Sequence, residues 1–324
     1  MKARFVYCIF LMILIACDSF KNDESINWIK FEWVGATIEG KYYDKTAINL
    51  PFTIEGVPHK LKGQFDLGAP MSMLYGNSIE PYLTRYQTLA KKLDTVHKNF
   101  NIQGTKLGGF KGVNINFDKI PFKNRDFIFF KNFGTRYNKD SVETESTKHI
   151  GTIGADLFQE KYLIIDFLNN RMASIDSLNN FYQKNTVFVN AKLDKGRIKV
   201  PIQVNVKTHY FMFDTGSSMF PLITAKKDIP VFNKQGEVKE SVKISSWGTK
   251  YNVSGYTIDN DVLIGNLKLN RFNDFVYENP LKAFEQFFKQ EDILGIMGNA
   301  FFLDKQIIID FKNKRFGVVK TLVK

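Results

Sequence analysis

Two short segments of the 324-residue chain hold residue types suited to acid–base chemistry: Phe65-Asp66-Leu67-Gly68-Ala69 and Phe213-Asp214-Thr215-Gly216-Ser217-Ser218. Each puts a carboxyl at the end of an apolar run, with a glycine two residues on that permits a tight turn. Two carboxyls held about 3 Å apart cannot both ionise, so they share a proton and titrate as a coupled pair. One can then take a proton from water while the other gives one to a carbonyl oxygen, which is the chemistry of metal-free peptide hydrolysis. A lone Asp-Thr-Gly arises by chance in about one chain in twenty-five of this length. The weight therefore rests on what surrounds the two acids.

The surroundings repeat in order. Ile48-Asn49-Leu50-Pro51-Phe52-Thr53-Ile54 precedes Asp66 and Ile198-Lys199-Val200-Pro201-Ile202-Gln203-Val204 precedes Asp214. Both alternate apolar and polar residues, the period of a strand with one buried face, and carry Pro at the same step. Downstream, Gly104-Thr105-Lys106 matches Gly248-Thr249-Lys250. The segment from Gly151 through Gly154 to Phe158 matches Gly295 through Gly298 to Phe302, and Ile164-Ile165-Asp166-Phe167 matches Ile308-Ile309-Asp310-Phe311, all at an offset of 144 residues. The acids themselves differ by 148, so a four-residue length difference lies between the acid and the Gly-Thr-Lys step. Between the markers the chain reads as short strands broken by Gly, Asn and Asp, with helices expected over Ile79–Val96 and Pro280–Lys289 and a junction of the two halves near Asp176–Asn185.

Each half resembles a retropepsin or pepsin lobe: an apolar strand ending in Asp-Thr-Gly, a glycine-bearing hairpin, an apolar-apolar-Gly segment and a closing Ile-Asp-Phe strand. The resemblance runs from about residue 28 onward. It implies an all-β fold of two similar aspartic-protease-like β-barrel lobes, residues 28–184 and 185–324, related by a pseudo-twofold with a cleft between them. It also implies aspartic endopeptidase activity on a peptide or protein substrate, with Asp66 and Asp214 as the catalytic pair and Gly68, Thr215, Gly216 and Ser217 supporting them. Gly154 and Gly298 are expected as structural glycines of the lobes, and Asp166 and Asp310 as strand acids without a catalytic role. In the family the residue after the acid is Thr, whose hydroxyl bonds across to the other lobe. Thr215 matches and Leu67 does not, because leucine neither donates nor accepts. The alternative of a different class is a catalytically silent peptide-binding protein that keeps the cleft. The hairpins over Asn99–Asn114 and Lys243–Tyr256 occupy the interval of the family's flap, which offers Phe110, Trp247 and Tyr251 as substrate contacts or as covers of the barrel edge.

The first residues carry a separate message. Lys2 and Arg4 give a basic start, Phe5–Ile15 an apolar core too short to span a membrane, and Leu14-Ile15-Ala16-Cys17 the small-residue exit of a secretory signal. The pattern resembles a bacterial lipobox, which implies removal of residues 1–16, a lipid on Cys17, a polar tether over 17–27, and a place in the bacterial cell envelope, anchored to a membrane and facing the periplasm or the cell surface.

Loss of Lys2 and Arg4 with the signal lowers the formal net charge from +12 to +10. The lysines are scattered, with no dense block or arginine–aromatic alternation, so no nucleic-acid partner is expected. Cys8 leaves with the signal and Cys17 takes the lipid, so no disulfide is available. His59, His97, His149 and His209 lack metal-ligand spacing. No Gly-x-Ser-x-Gly elbow surrounds Ser217 or Ser218, and no phosphate-cradling glycine loop occurs. The expectation is a monomer with neither metal nor cofactor.

Overall fold

A computed structural model describes residues 26–102, 105–144, 146–246, 248–271 and 273–320. Residues 1–25 with Cys17, and also Gly104 and Trp247, lie outside the described residues. The chain is mostly β, with 48% strand and 17% helix. Among the described residues no helix is long and apolar enough to cross a membrane.

Strands between residues 32 and 153 form one eight-stranded sheet, and strands between 192 and 297 a ten-stranded one. The alternation before each acid becomes strand as the pattern dictates: Lys41–Ile54 buries Ile48, Leu50, Phe52 and Ile54, and Arg197–Val204 buries Ile198, Val200, Ile202 and Val204. Thr53 and Ile54 pair additionally with Asn116 and Ile115, which curls the first sheet back on itself.

The strands that end at the two acids have matching neighbours. Leu61–Phe65 runs parallel to Lys148–Ile153, whose other side takes Met73–Tyr75 antiparallel. Lys207–Phe213 runs parallel to Gly295–Met297, whose other side takes Leu222–Ala225 antiparallel. Phe65 and Phe213, the last residues of their strands, are fully buried. Each phenyl ring contributes about 2–3 kcal/mol of transfer free energy, enough to pin the point at which the chain turns away with its carboxyl.

A third, six-stranded sheet draws on both halves, in the order Ile29–Lys30, Arg171–Ile175, Tyr162–Asp166, Gln306–Asp310, Arg315–Val319 and Thr186–Asn190. At its centre Ile164 faces Ile308, with Tyr162 opposite Asp310 and Asp166 opposite Gln306. Adding 144 to a residue before the centre turns each of these pairings into another of the same ladder, with the Ile164–Ile308 pair mapping onto itself. Asp166 is wholly buried and accepts from Asn169, Arg171 and Gln306; Asp310 is equally buried and accepts from Asn313 and Arg315. Each acid closes its own tight turn between two strands of the sheet.

The first expected helix is shorter than its pattern. Helix covers Gly76–Arg85 and Gln87–Ala90, interrupted at Tyr86, whose backbone is extended (φ −110°, ψ 92°). Beyond Lys92 the chain joins the sheet, Leu93 pairing with Phe110 and Asp94 with Gly109. Here the ladder's hydrogen bonds override helical periodicity. The second helix, Lys282–Gln290, lies where expected.

Candidate active site

The two acid turns share one backbone scheme. The Asp66 N–H donates to the Ile153 carbonyl at 3.0 Å and the Asp214 N–H to the Met297 carbonyl at 2.9 Å. Each acid's own carbonyl accepts from the residue three positions on, Ala69 and Ser217, both at 3.2 Å. These bonds swing the two carboxyls out of their strands toward each other, and the side chains of Asp66 and Asp214 are hydrogen-bonded to one another. The amide of Ala69 donates to Asp66 Oδ1 at 3.0 Å and that of Gly216 to Asp214 Oδ1 at 2.8 Å, while the Gly68 amide favours the ionised form of both carboxyls.

Glycine is required at 68 and 216 because each turn presses on the opposite acid. A Cβ on Gly68 would stand 2.6 Å from Asp214 Cγ, and one on Gly216 3.0 Å from Asp66 Cγ. Gly154 and Gly298 brace the same turns from behind. A Cβ on Gly154 would meet the Met71 carbonyl carbon at 2.7 Å, and one on Gly298 the Ser217 carbonyl oxygen at 1.9 Å.

Thr215, fully buried, ties the turns together across the halves: its hydroxyl donates to the Phe65 carbonyl and accepts from the Leu67 N–H, each at 2.9 Å. Leu67 is buried in the apolar core and returns no hydrogen bond. Ser217 lines the cleft beside the acids. Beneath the second turn, Asn299 donates from Nδ2 to the Thr215 carbonyl and the Ser218 hydroxyl, and Ser218 donates to the same carbonyl. Under the first turn, Ser72 bonds to Asp156 and accepts from the Gly154 N–H.

Burial is the largest influence on both carboxyls and raises them above the ordinary carboxylate range. Asp214 is raised further by the negative charge of Asp66, whereas the bonds from Asp214, Ala69 and Gly68 and the charge of Arg197 favour the ionised form of Asp66. Ionising Asp214 is thus the less favourable of the two once Asp66 is charged, and the carboxyls titrate as a coupled pair.

Both acids open onto a cleft of about 720 Å³. Around them stand Tyr75 and Thr152 from the first half and Met219, Phe220, Ile223 and Ile296 from the second. The Tyr75 hydroxyl bonds to Thr152 at 2.5 Å, and burial pushes it up to about 12. Asp166 and Asp310 do not line this cleft, and among the described residues no group of three or more His, Cys, Asp or Glu is placed to hold a metal ion.

Two hairpins wall the cleft. Glu240–Ser246 with Thr249–Thr257 contributes Ile244, Ser246 and Tyr251, the Tyr251 hydroxyl accepting from Asn279 at 3.2 Å. Trp247 lies outside the described residues. The other wall comes from Glu32–Ile38 with Lys41–Ile54, which the sequence reading passed over. Its two-residue turn, Glu39 (φ 48°) and Gly40 (φ 84°), is the hairpin signal that was there to find. Ile38, beside that turn, packs on the apolar cluster of the second half that includes Phe220 and Ile223.

Phe110 is a correction. It is not a flap tip: it is fully buried, paired with Phe127 across the sheet, with its ring 5.9 Å from that of Phe129. The glycines before it are packing glycines. A Cβ on Gly108 would lie 2.5 Å from the Asp94 carbonyl oxygen, and one on Gly109 2.2 Å from the Phe100 ring.

No protein-family model matches the chain, and no curated protein does.

Proposed function

We propose that the chain is an aspartic endopeptidase, built as two pepsin-like lobes (28–184 and 185–324) about an approximate twofold axis through the Ile164–Ile308 pair. One observation carries this reading: two carboxyls on matching turns, each seated on the other half's glycine, hydrogen-bonded to each other at a 720 Å³ cleft. Asp66, kept ionised by the Ala69 and Gly68 amides, takes a proton from the attacking water. Asp214, which holds the shared proton, gives it to the carbonyl oxygen of the scissile bond as the tetrahedral intermediate forms. The cleft volume is within the range of small-molecule and peptide-side-chain sites. The N-terminal pattern further supports a lipoprotein held to a membrane of the bacterial envelope through Cys17, acting as a monomer on peptide or protein substrates.

The test is cleavage profiling of a peptide library from acid to neutral pH, with and without a pepstatin-type inhibitor, alongside Asp214→Asn. Hydrolysis that is lost with the inhibitor and in the variant is the expected result. Equal hydrolysis by Asp214→Asn would place the activity elsewhere. The second reading, a silent peptide binder, is favoured by one observation: Leu67 leaves the cross-half hydroxyl exchange one-sided. Peptides that bind in the cleft and are cut at no pH would establish it.

A further inference from the structure

The cross-half contacts at the acid turns are uneven. Thr215 grips the first turn from the second half, and Leu67 gives nothing back. A second grip comes from an unrelated place in the fold. Arg197, at the start of the Arg197–Val204 strand, donates from Nε to the Gly68 carbonyl at 2.9 Å, across 129 residues of sequence. That carbonyl belongs to the peptide unit whose N–H is that of Ala69, the donor to Asp66 Oδ1. The peptide unit is planar, so fixing its oxygen fixes the direction of its N–H, and a donor on the oxygen polarises the bond the N–H makes. The Gly68 amide, at the other end of the same residue, favours the ionised form of both carboxyls.

Arg197 is itself held. Its Nη1 lies 3.8 Å from Glu291 Oε1 and its guanidinium 5.6 Å from the centre of the Phe287 ring. Glu291, whose side chain is almost wholly buried, is held in turn by Lys195 at 3.0 Å and Lys199 at 3.1 Å, and Lys199 reaches Asp194 at 2.8 Å. With Ile48 aligned on Ile198, the first-half position corresponding to Arg197 is Ala47, which has no charge and no donor beyond its backbone. Among the described residues the strap exists on one side only, the side of the turn that carries Leu67.

We propose that Arg197 is a positioning residue for the Asp66–Asp214 pair: its guanidinium anchors the Gly68–Ala69 peptide unit, aims the Ala69 amide at Asp66, and supplies the cross-half restraint that Leu67 lacks. The proposal builds on the reading of that pair as a catalytic dyad. The charged and titratable groups around Asp66 are Asp214, Tyr75 and Arg197; those around Arg197 are Glu291 and Asp194 and, through them, Lys195 and Lys199. Loss of the guanidinium removes the positive charge and the directed amide together, and both favour ionised Asp66.

The experiment compares wild type with Arg197→Met and Arg197→Lys. In the methionine variant Glu291 keeps Lys195 and Lys199, so the buried carboxylate stays paired. The side-chain carboxyl carbons of Asp66 and Asp214 are titrated by NMR, and kcat and KM are measured against pH on the peptide that wild type cuts best. In Arg197→Met the first ionisation of the pair moves to higher pH, the acid limb of kcat/KM follows it, and kcat falls roughly tenfold with KM little changed, as for a displaced reacting group. Arg197→Lys restores the titration through its charge and recovers kcat only in part, since an ammonium lacks the planar fork that serves Gly68 and Glu291 together. An unmoved titration in folded Arg197→Met, or a kcat loss matched by the fraction unfolded, overturns the proposal. If wild type cuts nothing, the endopeptidase reading fails, while the NMR titration in the same samples still decides the role of Arg197.

Discussion

Thr215→Val removes a single oxygen and tests the cross-half tie directly. The side chain is fully buried, and valine has nearly the same shape, so packing changes little. The hydroxyl serves two backbone groups, the Phe65 carbonyl and the Leu67 N–H, each at 2.9 Å. Each buried group left without a partner costs about 1–3 kcal/mol. The two together amount to about 2–6 kcal/mol, a large part of the 5–15 kcal/mol that typically separates folded from unfolded chains. Thr215→Ser keeps both bonds and loses one methyl, about 1 kcal/mol. The more apolar variant is therefore the less stable one, the reverse of the order that hydrophobicity alone would give. Urea unfolding followed by tryptophan fluorescence, from Trp28 and Trp33 among the described residues, measures both. A Thr215→Val protein within about 0.5 kcal/mol of wild type, the range of an ordinary surface change, or one more stable than Thr215→Ser, would refute the assigned role of the hydroxyl.

Leu67→Thr preserves or raises hydrolysis by offering the missing hydroxyl, and peptide turnover by the variant checks this. Its loss of buried apolar surface lowers the urea midpoint by about 1–3 kcal/mol of stability. Burial pushes Asp156 up to about 6. The folded state then binds the extra proton between the ordinary aspartate value and 6, so this group's contribution to stability falls as pH rises through that window, and Asp156→Asn flattens the slope. Burial holds His149 down to about 4, so its contribution falls as pH drops from 6.5 toward 4, and His149→Gln makes the protein more acid-resistant in the same unfolding assay. The two slopes oppose each other in wild type, and the single variants expose them one at a time. Asp310→Ala leaves Asn313 and the one-third-exposed Arg315 without their acceptor and destabilises by about 1–3 kcal/mol, with the NMR titration of Asp66 and Asp214 unchanged. Cys17→Ser abolishes fatty-acid labelling while the circular dichroism of the β sheets is retained.

What could be read from the sequence was what repeats locally. The strand before each acid, the Asp-x-Gly turn and the Ile-Asp-Phe strand all have periodicities and turn residues that fix their conformation within a few positions. Phe110 was misplaced because two glycines before an aromatic look the same whether they bend a flap or admit a neighbouring ring. Only the approach of Phe100 and of the Asp94 carbonyl distinguishes the cases, and both are tertiary. The Glu39-Gly40 turn was legible as a turn, but that Ile38 beside it reaches the cluster of the second half depends on the curl of a whole sheet. Arg197 and Asn299 carried no signal at all, since the group each holds at the acid turns is at least 80 residues away in sequence.

The sheet centred on Ile164 and Ile308 has a consequence for the order of events during synthesis. Tyr162–Asp166 is translated more than a hundred residues before Gln306–Asp310, the strand it pairs with, and meanwhile presents an open edge rich in isoleucine. A similar interval, 148 residues, separates Asp66 from Asp214. A chain still on the ribosome thus contains half of this sheet, and the joining sheet is incomplete until the Gln306–Val319 hairpin arrives. Such long-range pairing folds slowly and leaves an edge prone to aggregation.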